Sequence, residues 1–218
     1  MSVFRQLMMG KKDSSGFSNI LKYADTPFLC HFDGNSTNLG NGGYVQILGS
    51  ATLAGTPSKF GTNSLKVNSW ADLSGFPYEP TDKYTVELWA YQPTESVNLL
   101  CWTRGGDDRF AYFWVATDIA SSEIVITTNT IVRVPIDTSV WHHIAATYDG
   151  NQSFNIFIDG ILKNTGTAHT VVSNTGHYSP DVNTIHGNAT CINEYVIHRG
   201  IRYTENFVPL EEPYVIEQ

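Results

Sequence analysis

The stretch VWHHIAATYDGNQSFNIFIDG, residues 140–160, constrains the fold more than any other part of the chain. Successive strand side chains point to opposite sides of a sheet. In a strand over 141–148, Trp141, His143, Ala145 and Thr147 therefore share one face, and His142, Ile144, Ala146 and Tyr148 share the other. DGNQ at 149–152 turns the chain, and Phe154, Ile156 and Ile158 align on one face of a second strand. Asp159-Gly160 has the chemistry of a two-residue type I′ hairpin loop, where both central positions want positive φ. ILKNTG then returns as the third strand of a meander. One functional consequence follows at once. His142 and His143 point to opposite sheet faces, so they cannot jointly ligate one metal or serve one catalytic site.

The remainder of the chain keeps the strand period. FLCHFDG reads as a strand entering a turn. TVELWAYQP (85–93) alternates Val86, Leu88 and Ala90 on one face with Glu87, Trp89 and Tyr91 on the other. NLLCWTRGG, RFAYFWVAT and EIVITTN are further strands, with turn signals between them. This pattern predicts an all-β sandwich or barrel. With 218 residues, the chain can bury roughly 70–75% of its unfolded surface around one core.

The first residues differ. Val3, Phe4, Leu7, Met8 and Met9 cluster ahead of Lys11-Lys12 and the polar run DSSGFSN. The segment is too short for a helix stable alone. It reads as an arm over 1–25, either a frayed chain end or a docking segment that orders on a partner, leaving 26–218 as the sandwich domain.

Charge narrows the partners. Lys plus Arg total 13 and Asp plus Glu total 21, a formal net charge of −8, which argues against nucleic acid. No apolar run reaches the roughly 18 residues that span a bilayer, so no membrane insertion is expected. The N-terminal positive charges follow the apolar residues, a poor secretion signal. Cys30, Cys101 and Cys191 form neither a zinc pattern nor C-x-x-C. They read as buried thiols of a protein made in a reducing cytoplasm, with a Cys30–Cys191 disulfide as the alternative.

Four stretches, in order and spacing, resemble one family. They are FDG at 32–34, YTVELWAYQP at 84–93, the meander above, and INEYVIHRGIRYTENFVPLEEPY at 192–214. Together they resemble laminin-G-like domains of the concanavalin A-like lectin/glucanase group. Gly200, Arg202-Tyr203, Asn206-Phe207 and Pro209 match the closing pattern of such domains in tailed-phage and prophage proteins. The resemblance covers about residues 27–214. It implies an all-β jelly roll of two antiparallel sheets, each of about five to seven strands. That fold hosts lectins, glycosidases, adhesion modules and structural domains, so function must be argued from sites.

Catalysis is not expected. Glycoside hydrolysis uses facing carboxylates about 5–10 Å apart. The glucanases of the resembled group carry E-x-D-x-x-E or E-x-D-x-E, and this chain has no E-x-D. Glu87 reads as structural. No G-x-S-x-G nucleophile motif is present either.

Calcium is the one cofactor with candidate ligands. A hard cation takes oxygen-rich loops, and the candidates are Asp33 with Asn35, and Asp107 with Asp108 in RGGDDR. Asp and Asn also form ordinary turns. The resemblance implies Asp-Glu where this chain has Asn193-Glu194, which removes one acidic group. Glycan contact is the other candidate chemistry. SWADLSGFPYEP (69–80) and RGGDDRFAYFW (104–114) mix aromatics with polar groups. The residues singled out are Trp70, Tyr78, Trp102, Arg104, Asp107, Arg109 and Tyr112, because exposed aromatic clusters mark binding surfaces.

The function these features imply is a non-enzymatic phage virion component made in the host cytoplasm: a decoration protein, fibre or tail-associated module. It would join other virion proteins, and copies of itself in a homo-oligomer, through Val3, Phe4, Leu7, Met8 and Met9, and it would touch host glycans. The rival is a soluble lectin or receptor-binding module. An unusual glycosidase is the third reading.

Overall fold

The computed structural model describes residues 18–42, 46–74, 83–91, 98–104, 110–118, 123–127, 130–151, 153–167, 169–171, 182–186 and 190–217. The N-terminal strands run over Ile20–Lys22 (β1), Phe28–Cys30 (β2), Gln46–Ala54 (β3), Ser64–Ser74 (β4) and Tyr84–Tyr91 (β5). Next come Asn98–Arg104 (β6), Phe110–Asp118 (β7), Glu123–Thr127 (β8) and Ile131–Pro135 (β9). The meander is Trp141–Tyr148 (β10), Ser153–Ile158 (β11) and Ile161–Thr167 (β12). His169–Val171 (β13), Val182–His186 (β14), Thr190–Arg199 (β15) and Val215–Glu217 (β16) follow. The single described helical element is a 3-10 turn at Tyr23–Asp25. Among the described residues no helix is long and apolar enough to cross a membrane.

The strand order is β12-β11-β10-β5-β15-β4-β14-β6-β7-β8-β9, with β2 beside β15, β3 beside β4 and β13 beside β7. These pairs are antiparallel, and among the described residues the sheet does not close. The chain folds this continuous ladder into two layers at β4. The first part of β4 pairs with β15 through Leu65–Ile192 and Val67–Thr190, and its second part pairs with β14 through Ala71–Ile185. One strand thus serves both layers. The resemblance implied two sheets; the hydrogen bonding joins them.

Alternation fills the space between the layers. Val86, Leu88 and Ala90 of β5, Ile144 and Ala146 of β10, and Phe154, Ile156 and Ile158 of β11 meet Ile124, Ile126 and Val134 of β8 and β9. Burying each large apolar side chain contributes roughly 1.5–3 kcal/mol before chain entropy is counted. The expected hairpin also forms. Asp159 and Gly160 have φ of 50° and 74°, and Ile144 lies opposite Ile158.

β5 departs from a half-buried strand, since every residue from Tyr84 to Ala90 is buried. The cover for its outer face is the segment after β15. Gly200, at φ 90°, reverses the chain, and Tyr203 and Phe207 then pack on Ala145 and Phe157. Leu210 and Tyr214 pack on Leu29 and Val196.

The N-terminal end joins this cover. β1 pairs parallel with β16, Ile20 opposite Val215, and Leu21 is buried beside Tyr214. Residues from Ser18 onward, grouped with the arm by local sequence, are therefore packed on the sandwich. Val3, Phe4, Leu7, Met8 and Met9 lie outside the described residues. Cys30 and Cys191 are free buried thiols, and burial pushes Cys30 up to about 12.

Candidate functional site

A cleft of about 410 Å³ opens at the rim of the sandwich. Its walls come from four places: the loop after β2 with His31, Asp33, Asn35, Thr37 and Leu39; Phe60-Gly61; Glu194 in β15; and Pro213, Tyr214 and Val215 before and in β16. Its size lies within the roughly 300–1,000 Å³ of small-ligand sites.

Glu194 reaches this rim because β15 carries a β-bulge between Asn193 and Val196. Ile192 and Ile197 face the main core, but so does Tyr195, which simple alternation from Ile192 would send outward. One extra residue resets the parity, as a bulge does, and Glu194 sits there at φ 51°. The side chain is 1% exposed. Its Oε1 is bonded to His31 Nδ1, and its Oε2 accepts from the Tyr214 N–H at 3.0 Å. Burial works against a charged His31, but the Glu194 hydrogen bond and the negative charges of Glu194 and Asp33 outweigh it and hold its pKa above the ordinary value.

The cleft walls are braced from behind. Asn193 Oδ1 accepts from Lys59 N at 2.8 Å and Phe60 N at 3.1 Å, while its Nδ2 donates to His31 O at 2.5 Å and Asn63 O at 3.2 Å. One amide thus ties the 58–63 loop to the strand end at His31. Asp33 Oδ1 accepts from Thr62 N at 2.8 Å, Thr62 Oγ1 at 3.0 Å and Asn63 N at 3.1 Å. Backbone and side-chain bonds from Thr62 hold the Asp33 pKa below its ordinary value.

The second polar centre is sealed. Glu87 points to the outer face of β5 and is fully buried. Tyr203 Oη donates to its Oε2 at 2.7 Å, His143 Nε2 lies 3.3 Å from the same oxygen, and Arg202 Nε lies 3.3 Å from Oε1. Burial disfavours the charge, but Arg202 above all, then His143 and Tyr203, hold the carboxyl down at about 2. A carboxylate so placed neither touches solvent nor carries a proton near neutrality.

The two adjacent histidines separate as alternation requires. His143 contacts Glu87, with its ring 5.2 Å from Trp89 and 5.7 Å from Phe207. His142 bonds Asp159 Oδ2 at 2.8 Å and Asp137 O at 2.9 Å.

Of the calcium candidates, Asp33 and Asn35 both line the cleft, whereas Asp107 and Asp108 lie outside the described residues. Asn35 Oδ1 accepts from Thr37 N at 2.9 Å, so both residues act as loop braces. The set does not fit a calcium cage: a hard cation takes roughly six to eight oxygens, and here Asp33 Oδ1 and Asn35 Oδ1 already accept from N–H groups, which leaves only Asp33 Oδ2 of the pair's side-chain oxygens. Among the described residues no cluster of three or more His, Cys, Asp or Glu is close enough to hold a metal.

Of the glycan candidates, Tyr78, Asp107 and Arg109 lie outside the described residues. The backbones of Trp70, Trp102, Arg104 and Tyr112 fall on β4, β6 and β7, with β14 between β4 and β6. Trp70 pairs with His186, Trp102 with Asn183 and Phe113, Arg104 with Ala111, and Tyr112 with Thr103. The fold thus gathers this set into one strand neighbourhood.

Sequence reading missed His31, Phe60, Glu194 and Tyr214 as one site. His31 and Glu194 are 163 residues apart, and the bulge that brings them together has no local signature. The polar pair inside the otherwise apolar run CINEYVI was the available signal.

Comparison with known proteins bears on this architecture. A family model described as the concanavalin A-like lectin/glucanases superfamily matches residues 60–189. No curated protein sequence matches the chain. Among solved structures, the binding domain of Paraclostridial Mosquitocidal Protein 1 superposes with a TM-score of 0.57 at 10% identity. The match covers 83% of this chain and 50% of that one, so the chain spans about half of that domain's length. A conserved carbohydrate esterase from the Shiga toxin-encoding bacteriophage phi24B gives TM-score 0.57 at 12% identity, covering 81% of this chain and 99% of that one. Domain 4 of AbnA, a GH43 extracellular arabinanase from Geobacillus stearothermophilus, was solved in complex with arabinotriose; it gives TM-score 0.53 at 18% identity, covering 81% and 93%. At these identities the likeness is one of fold.

Proposed function

The chain belongs to the concanavalin A-like lectin/glucanases superfamily, and from that premise we propose that it is a non-enzymatic, carbohydrate-contacting module of a phage particle. Its fold is of the lectin-like, binding-domain type. One observation carries the choice of binding over hydrolysis: Glu87, the acid at the middle of the sheet, is sealed by Arg202, His143 and Tyr203. A general acid in glycoside hydrolysis needs a raised pKa and access to the glycosidic oxygen, and Glu87 has neither. Support for the phage setting comes from the closing motif Gly200 to Pro209 and from the bacteriophage protein of similar fold. Attachment through residues 1–17, to other virion proteins or to further copies of the chain, belongs to the same proposal. Calcium has no part in it at Asp33 and Asn35.

A glycan array probed with the labelled full chain tests the binding claim, and mass spectrometry of purified particles tests the setting. Binding to neutral or acidic glycans without release of reducing ends is expected. Release of reducing sugar by the wild type, abolished in Glu87→Gln, would overturn the non-enzymatic reading.

A further inference from the structure

The geometry points to the rim cleft as a binding site for one neutral, hexose-sized sugar unit, held between the loop after β2 and the Pro213–Val215 edge. This rests on the carbohydrate-binding reading above and assigns it a place and a ligand class.

The lining selects the class by its charges. Glu194 is the deepest acid, and both of its oxygens are already engaged, by His31 and by the Tyr214 N–H. Asp33 Oδ1 is likewise engaged by Thr62 and Asn63. A metal cation at Glu194 or at Asp33 Oδ1 would have to displace these donors, and Asp33 Oδ2 alone is too few ligands for one. An anion meets two carboxylates, and the one basic side chain among the described lining residues, His31, is already bonded to one of them. A neutral ligand meets neither obstacle.

The lining also has the two surfaces that a sugar ring presents. Leu39, Phe60, Pro213 and Val215 give the lining apolar surface, suited to the C–H face of a pyranose. On the polar side, His31 uses Nδ1 for Glu194, which leaves Nε2 for a ligand. Asp33 keeps Oδ2, Asn35 keeps its amide Nδ2 after Oδ1 bonds Thr37, and Thr37 keeps its hydroxyl. These are donors and acceptors in mixed order, as vicinal hydroxyls require.

The site is also preorganised. Asn193 and Asp33 brace the Phe60 loop, and Leu29 N donates to Asn38 Oδ1 at 3.1 Å while Leu39 N donates to Leu29 O at 2.9 Å. A ligand entering such a cleft orders few groups, which lowers the entropic cost of binding. His31 is 30% exposed on its side chain, and Leu39 and Val215 are exposed, so the mouth faces solvent.

The test uses the full chain, titrated with D-galactose, D-glucose and N-acetyl-D-glucosamine, and separately with N-acetylneuraminic acid and calcium chloride. Saturation-transfer NMR and calorimetry read the binding. Two variants probe the cleft at exposed positions: Thr37→Val removes a hydroxyl, and Leu39→Lys obstructs the mouth. The expected result is binding of at least one neutral sugar, weakened tenfold or more in both folded variants, with no competition from calcium. Neutral-sugar binding unchanged in both variants overturns the cleft assignment and leaves carbohydrate binding standing elsewhere on the sandwich. Binding of N-acetylneuraminic acid or calcium in the cleft, lost in Thr37→Val, overturns the ligand class. No binding to any neutral sugar here, nor to any glycan on the array, overturns both readings.

Discussion

The hydroxyl of Tyr203 donates a 2.7 Å hydrogen bond to Glu87 across 116 residues of sequence. Its ring stacks on Phe207 at 3.6 Å with an interplanar angle of 6°. Through this contact the segment after β15 becomes the outer cover of β5 and β10. Breaking one partner of a buried ion pair commonly costs ~3–5 kcal/mol. Glu87→Gln keeps an acceptor for Tyr203 but leaves Arg202 without its counter-charge. A stability loss of that order is expected in urea unfolding at neutral pH, and a loss below ~1 kcal/mol would mean the pair is unimportant.

The same carboxylate sets an acid limit. A carboxyl whose folded pKa is depressed contributes stability that is complete above its unfolded value and fades as pH falls through the folded one. For Glu87 that window runs from 4.5 down to about 2. Asp33 and Asp159 are also held below their ordinary values and add in the same direction. Wild-type stability should therefore fall as pH drops through this window, and more steeply than that of Glu87→Gln. Equal slopes in acid titrations followed by tryptophan fluorescence would remove Glu87 from the account.

On the alkaline side the sign reverses. Burial opposes charge on His31 and His142, yet hydrogen bonds to Glu194 and Asp159 hold both above 6.5. Their contribution is complete below 6.5 and is lost as pH rises through the folded values. His198 has a lowered value, mainly from burial and then Arg202, so its contribution is present at high pH and fades on acidification. A modest decline in melting temperature above neutrality is expected. It should shrink in His31→Gln and further in the His31→Gln, His142→Gln double variant.

Gly160 and Gly34 make a controlled comparison. Both have positive φ, 74° and 83°. A Cβ at Gly160 would lie 2.0 Å from the Phe207 carbonyl oxygen, whereas one at Gly34 meets nothing within 4 Å. The left-handed conformation alone costs an L-residue ~1–2 kcal/mol. Gly34→Ala should cost about that much in chemical denaturation. Gly160→Ala should cost clearly more, because the hairpin and the Phe207 segment must move apart. Equal costs would dismiss the close approach.

The N-terminal boundary can be located by truncation. Removing residues 1–17 spares β1 and should leave the melting temperature nearly unchanged, while abolishing particle incorporation or self-association. Removing residues 1–22 also takes Leu21, which is buried against Leu29, Leu210 and Tyr214. Burial of one Leu is worth roughly 1.5–3 kcal/mol, or a melting temperature lower by roughly 3–12 °C in a domain of this size. A large shift in the shorter truncation would place residues 1–17 in the folded body as well.

Much of the fold was legible because strands announce themselves locally. Alternation placed Ile144 and Ala146 on one face of β10 and Phe154, Ile156 and Ile158 on one face of β11, and all of them meet in the main core. Asp159-Gly160 declared its turn through the φ that Gly accepts cheaply. The separation of His142 from His143 followed from the two-residue period alone. The candidate site was legible only in part. Asp33 and Asn35 were singled out for their oxygens, and they do line a cleft, but as braces whose Oδ1 atoms already accept hydrogen bonds.

What the sequence determined by itself is the all-β class, the meander with its turn, the two faces of β5, β10 and β11, and the resemblance carried by residues 192–214. These rest on dihedral preferences and a period of two, which act between neighbours in the chain. What tertiary structure alone decided is that β5 is buried on both faces, that β1 lies beside β16, and that Glu194 meets His31 at the rim. Each of these joins residues far apart in sequence. Their free energy comes from surfaces and charges that exist only once the layers have closed, and a bulge of one residue is enough to choose which side chain faces them.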